Sequence, residues 1–259
     1  MAKTRSAYLT RAINKVPEVT LAFWIIKIMS TTVGETGADY LAVNVGLGAI
    51  VTDAITATLL IIALLAQLRS RRFVPWIYWL TVVLVSVVGT QITDALNDGA
   101  GVSLYASTAC FGAMLAAIFW IWYRSEGTLS IRAIDTRPRE LFYWAAILCT
   151  FALGTAAGDF ATEALGLGFS LGVVIFSALI ALTAFAAYIG LNRVTAFWIA
   201  YVLTRPLGAS LGDLLSQSRT YGGVGLGTIY TSVIFLTIIV ALVAYVSIAK
   251  PNADESSLA

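Results

Sequence analysis

The chain has 259 residues, 59% of them hydrophobic and 12% charged, with a formal net charge of +2. A soluble domain is nearer half apolar and a quarter charged, so composition excludes an ordinary soluble globule and indicates an integral membrane protein. His is absent, which removes the commonest haem or zinc ligand and the usual pH switch.

A hydrocarbon core of about 30 Å takes roughly 20 apolar residues per helix. Eight stretches of that length are predicted to span, at 19–42, 47–68, 74–96, 103–123, 141–162, 166–190, 195–215 and 225–248. The first 16 residues are basic and polar, unlike a cleavable signal peptide, and the first apolar stretch is long enough to span and stay. The first span carries Phe23-Trp24, Gly34 and Asp39, and the second opens at Gly46-Leu47-Gly48. The third carries Tyr78-Trp79, Gly89 and Asp94, and the fourth opens at Gly101-Val102-Ser103. The fifth carries Tyr143-Trp144, Gly154 and Asp159, and the sixth opens at Gly166-Leu167-Gly168. The seventh carries Phe197-Trp198, Gly208 and Asp213, and the eighth opens at Gly225-Leu226-Gly227. An aromatic-Trp pair, nine residues, a Gly, four residues and an Asp thus recur four times, which defines a tandem repeat. The repeats run 17–72, 73–124, 138–192 and 193–249, followed by a tail at 250–259 predicted to be cytoplasmic.

Two spans per repeat give all four copies one orientation, as parallel repeats about an axis along the membrane normal. A pseudo-fourfold ring and a pair of pseudo-twofold halves both satisfy this. The longest connection, 123–139, lies between the second and third repeats. Basic residues from Lys3 to Lys250 collect at the termini and the even-numbered connections, and only Arg219 lies in an odd one. This asymmetry places both termini in the cytoplasm. Cys110 and Cys149 fall within predicted helices and imply no disulfide framework.

Within each first helix the Trp sits one turn in, where an aromatic belt would set helix height. The Gly follows at a rise of about 15 Å, near the bilayer midplane. Small-xxx-small pairs, Gly34/Ala38, Gly89/Thr93, Gly154/Gly158 and Gly208/Gly212, let backbones approach. The first helices are therefore expected inside and the second helices, apolar on most faces, against lipid.

This pattern resembles a bacterial membrane family built of four tandem copies of a repeat of unknown function. Each copy in that family has two transmembrane segments and a characteristic Trp, matched here by Trp24, Trp79, Trp144 and Trp198. The resemblance covers residues 17–249 and implies the eight-span architecture without a substrate. Ser103 and the longer loop 216–223 depart from the repeat.

Asp39, Asp94, Asp159 and Asp213 are the candidate site, because a carboxylate inside a spanning segment is expensive and by default functional. They read either as a carboxylate ring that handles a cation or as caps of the Gly-rich outer turns. Glu35, one turn before Asp39, and Asp53 in the second helix have no acidic counterparts in other repeats. Together they read either as a coupling site in which not all carboxylates carry charge at once or as partners in salt bridges to Lys27 or Arg205. Lys27 is expected to snorkel to the cytoplasmic interface. Arg205 beside Pro206 reads as a gate or counter-ion, since Pro loosens the helix there. Ser210-Leu211-Gly212-Asp213 lacks the first Gly of the intramembrane aspartyl-protease motif, and no other pattern suggests an enzyme.

The expectation is an all-α, eight-span inner-membrane protein of bacterial type that translocates a small cation, with no cofactor and no nucleic-acid partner. Oxygen ligands suit hard ions, divalent metals among them, and proton coupling fits as well. The other class is a non-transporting scaffold or envelope-stress protein whose Asp residues cap helices.

Overall fold

Gly and Pro punctuate the apolar stretches, and Gly48, Pro75, Gly127, Pro138 and Gly168 stand at helix ends. The computed structural model describes residues 14–43 and 48–249. Eight long helices follow in order: α1 Leu21–Val43, α2 Ala49–Arg69, α3 Pro75–Asp94, α4 Leu104–Glu126, α5 Arg137–Asp159, α6 Gly168–Tyr188, α7 Arg193–Ser216 and α8 Thr228–Ala249. α3 and α5 run on as π turns at Ala95–Gly99 and Phe160–Ala164. Pro75 opens α3 at a position that needs no backbone N–H. Thr136 caps α5, and the Asn192 side chain accepts from the N–H groups of Val194 and Thr195 at the start of α7.

Among the described residues, α2 to α8 are the seven helices long and apolar enough to cross a membrane, which makes this a multi-pass membrane protein. α1 is as long but carries Lys27, Glu35 and Asp39, and its apolarity falls short. The residues Lys3, Arg5, Arg11 and Lys250, the Gly46-Leu47 turn and the 250–259 tail lie outside the described residues.

The four first helices form a closed ring: α1 packs on α3, α3 on α5, α5 on α7 and α7 on α1. Of the two arrangements that parallel repeats allow, the molecule takes the pseudo-fourfold one. Each outer helix leaves its own repeat and covers the next. α2 packs on α3, α4 on α5, α6 on α7, and α8 returns to α1. Burial follows the expected division. In α3 and α5 67% of the apolar window is buried and in α7 56%, against 22% in α2 and 17% in α4, α6 and α8.

The repeated Gly residues set the ring's diameter. A Cβ on Gly34 would overlap the Ser86 side chain of α3, and one on Gly208 would overlap Thr31 of α1. On Gly89 it would lie 2.7 Å from the Phe151 Cβ, and on Gly154 2.5 Å from the Arg205 Cβ. Each Gly thus receives the side chain three positions before the Gly of the following repeat. Backbone proximity also permits direct bonds, as where the Thr93 hydroxyl donates to the Ala152 carbonyl at 3.1 Å.

At the Trp end a polar clasp ties the segment before α1 to the ring. Lys15 Nζ lies 2.6 Å from Glu140 Oε2, and Gln67 Nε2 donates to Glu140 Oε1 at 3.3 Å. All three side chains are buried. Lys15 is therefore part of the core at this end rather than a solvated flanking charge.

Candidate functional site

Residues four apart share a helix face, and each inner helix presents one stripe of five to the ring. The stripes are Phe23, Lys27, Thr31, Glu35 and Asp39 on α1, and Tyr78, Val82, Ser86, Thr90 and Asp94 on α3. On α5 they are Tyr143, Ile147, Phe151, Thr155 and Asp159, and on α7 Phe197, Tyr201, Arg205, Ala209 and Asp213. Stacked across the ring, they form five layers. The first four layers are buried, and the Asp layer is half-buried.

The first layer is an aromatic girdle. Within each pair the rings meet edge to face, at centroid distances of 5.2, 5.1, 5.3 and 5.2 Å. Between repeats, Phe23 meets Trp79 at 5.6 Å, Tyr78 meets Trp144 at 5.5 Å, Tyr143 meets Trp198 at 6.2 Å and Phe197 meets Trp24 at 5.6 Å. The Tyr78 and Tyr143 hydroxyls bond each other at 2.5 Å across the middle. The Trp residues accordingly do not form a belt against lipid. Trp79, Trp144 and Trp198 are buried and Trp24 partly so, because the dipeptide closes the end of the axis.

Lys27 lies in the second layer and does not snorkel. It is 1% exposed, with Nζ 3.8 Å from the Phe151 ring centroid and 4.3 Å from that of Tyr201. α1 and α5 stand opposite each other in the ring, so this contact puts Lys27 on the axis. Its Nζ has no hydrogen-bond partner among the described residues and lies over the two ring faces instead.

Arg205 fills the third and fourth layers and touches all three other inner helices. Its Nη2 lies 2.7 Å from Glu35 Oε2 and donates to the hydroxyls of Thr90 and Thr155, the latter at 2.8 Å. Nη1 donates to the Thr31 carbonyl at 2.7 Å and the Ser86 hydroxyl at 3.4 Å. Nε donates to Thr155 Oγ1 at 3.1 Å. Every polar hydrogen of such a fork wants an oxygen once water is gone, and the Thr and Ser residues of the neighbouring repeats provide them. The sequence offers Arg205 and Lys27 as alternative cations for the Glu35–Asp53 cluster, and of these the structure pairs Arg205 with Glu35; the Thr31, Ser86 and Thr90 partners were not identified from it. Their shared register, four residues apart on each stripe, was the available signal.

The Asp layer stands at the open end. Asp39, Asp94, Asp159 and Asp213 lie close enough around the ring to repel one another in sequence, with Glu35 below and Glu163 and Asp98 adding charge at the rim. Among the described residues none of the four side chains makes a hydrogen bond or ion pair, and the buried Asp39 Oδ2 has no partner there. Asp94 and Asp159 precede the π turns without capping them. Among the described residues no three acidic, Cys or His side chains gather tightly enough to hold a metal ion. The layer is a half-buried acidic mouth to the ring.

Asp53 is the exception among the acidic candidates. α2 leaves its own repeat to pack on α3, with Thr52 and Thr56 on its buried face, and the Thr56 hydroxyl donates to Gln91 at 2.6 Å. Asp53 remains half-exposed on the outer helix and makes no bond to Glu35. The expected Glu35–Asp53 coupling pair therefore does not form. Pro206, by contrast, lies at the ring contact, against the backbone of Gly154 and Gly158.

No curated protein and no solved structure matches the chain. A family model does, four times over, at residues 22–73, 77–128, 142–190 and 196–251. Each match covers one aromatic girdle pair, one stripe and one outer helix, and the chain belongs to the family described as Repeat of Unknown Function (DUF347).

Proposed function

We propose that this protein is a transporter of a bacterial inner membrane that moves a small cation along the ring axis. In this reading all eight helices span, with both termini cytoplasmic and the Asp mouth facing outward. α1 crosses despite its charges because Lys27 and Glu35 turn inward and α8 covers its outer side.

The observation that carries the proposal is the Arg205–Glu35 pair, buried on the axis beneath the acidic mouth. A charge pair in the middle of a spanning ring is costly and by default functional. Around the guanidinium stand one carboxylate, three hydroxyls and one carbonyl, an oxygen set of the kind hard cations take. Arg205 occupies that set as a tethered cation. The mouth concentrates hydrated cations, and an arriving ion exchanges with the guanidinium at Glu35. Pro206 removes one backbone hydrogen bond from α7 beside the arginine and gives that helix the freedom the exchange needs. Below it, Lys27 and the aromatic girdle close the path, so this conformation is occluded.

Flux in proteoliposomes tests the proposal, with Na⁺, K⁺, Mg²⁺, Ca²⁺ and Mn²⁺ offered with and without a pH gradient. The expected result is selective flux by the parent, lost in a folded Glu35→Gln/Arg205→Gln double variant. Absence of flux for every ion, or undiminished flux in the double variant, overturns it.

A further inference from the structure

The four outer-helix joints are not equally filled. Where α4 meets the girdle, Phe119 and Trp122 pack on Trp198 at 4.8 and 5.8 Å. The equivalent positions hold Leu64 and Gln67 on α2, and Val243 and Val246 on α8. On α6 they hold only Ala184 and Ala187. The missing volume is a cavity of about 660 Å³ against Trp24 and Phe197, where the last repeat meets the first. It explains why Trp24 alone among the repeated Trp residues is not buried.

The cavity has a polar end. Arg193, the first residue of α7, and Arg132, from the connection between α4 and α5, both line it. Both are exposed, and among the described residues neither side chain makes an ion pair or hydrogen bond. From Arg193 to the apolar depth at Ala200 the helix rises about 10 Å. The space is therefore amphipathic, with cations at the membrane surface and an apolar body reaching inward. Its size suits a bound ligand.

We propose that this cavity is a binding site for one anionic phospholipid, its acyl chain against Ala184, Ala187 and Trp24 and its headgroup between Arg132 and Arg193. The lipid completes the joint between the first and last repeats, which no direct connection links. The site depends on membrane embedding and is independent of transport.

The full-length protein in mild detergent, examined by native mass spectrometry with phosphatidylglycerol or phosphatidylcholine, tests this. One phosphatidylglycerol is expected to be retained and to raise the unfolding temperature, while phosphatidylcholine and inorganic phosphate do neither. Arg132→Gln/Arg193→Gln should weaken retention by roughly 30-fold, from two surface arginines acting on one anion. Ala184→Phe/Ala187→Trp, which copies the α4 side chains into α6, should abolish retention in a folded protein. Equal retention of both lipids, or unchanged retention in the filled variant, overturns the proposal. Brominated-chain phosphatidylglycerol gives a readout that needs no filled variant. Its saturable quenching of Trp fluorescence should fall away in Trp24→Phe, and persistence of that quenching overturns the proposal too.

Discussion

Removing one member of the Arg205–Glu35 pair strands the other in a dry ring, a loss of about 3–5 kcal/mol. Arg205→Gln and Glu35→Gln should each lower thermal stability sharply, and the double variant should lose less than their sum, measurable as a double-mutant cycle. The Asp residues predict the opposite sign. They make no hydrogen bonds and repel each other, so any single Asp→Asn change should leave the melting temperature unchanged or raised. A capping role would instead cost about 1 kcal/mol per site. At this scale the sequence exposed which residues are costly, but not which of them meet. Arg205 was legible as a counter-ion and Glu35 as one of its acids, whereas the choice of Glu35 over Asp53, and of Arg205 over Lys27, was not, since that depends on four helices closing around one axis. Lys27 lies within snorkelling length of a helix end, and only the direction of its stripe turns it inward. Asp53 seemed close to Glu35 because they are near in the chain, and the outward departure of α2 separates them.

At the scale of the element, the repeated Gly residues are the contact points between neighbouring helices. Gly34→Ala and Gly208→Ala push a methyl into Ser86 and Thr31 and should destabilise by about 1–3 kcal/mol, as overpacking does. Gly112→Ala is the control. Its nearest neighbour would be Leu153 at 3.9 Å, so helix propensity alone acts and stability should rise by up to about 1 kcal/mol. Both follow from thermal unfolding in one detergent. In the girdle, Tyr78→Phe leaves the buried Tyr143 hydroxyl alone and should cost about 1–3 kcal/mol, while Tyr78→Phe/Tyr143→Phe should be close to neutral. The helices themselves, and which of them lie inside, were readable from spacing and small residues. The Ser103 departure resolves locally: Gly48, Gly168 and Gly227 have positive φ, whereas Ser103 is extended and caps α4 through its hydroxyl. The Trp role was not readable, because a belt and an inward girdle call for the same residue at the same depth.

For the whole molecule, the chain closes on itself through α8 and α1, where the hydroxyls of Thr36 and Ser232 lie 2.7 Å apart. Cysteines at these two positions, with Cys110 and Cys149 replaced by Ala, should form an intramolecular crosslink in the monomer, visible as a mobility shift on a non-reducing gel. Parallel repeats were legible from the two helices in each repeat, but the choice of ring over paired halves was not. It rests on side chains meeting between repeats at matched heights, which no single repeat encodes. The offset packing also has a consequence for synthesis. Among the inner helices only α1 lacks the composition of a spanning segment, and it precedes the others in the chain; the helix that clads it follows them all. Throughout translation, therefore, the segment bearing Lys27 and Glu35 waits in the membrane or the insertion machinery without its outer cover. In the eight-span reading, final commitment of α1 to the bilayer awaits α8, and a ribosome that stalls before residue 228 should leave α1 slipping between the two sides.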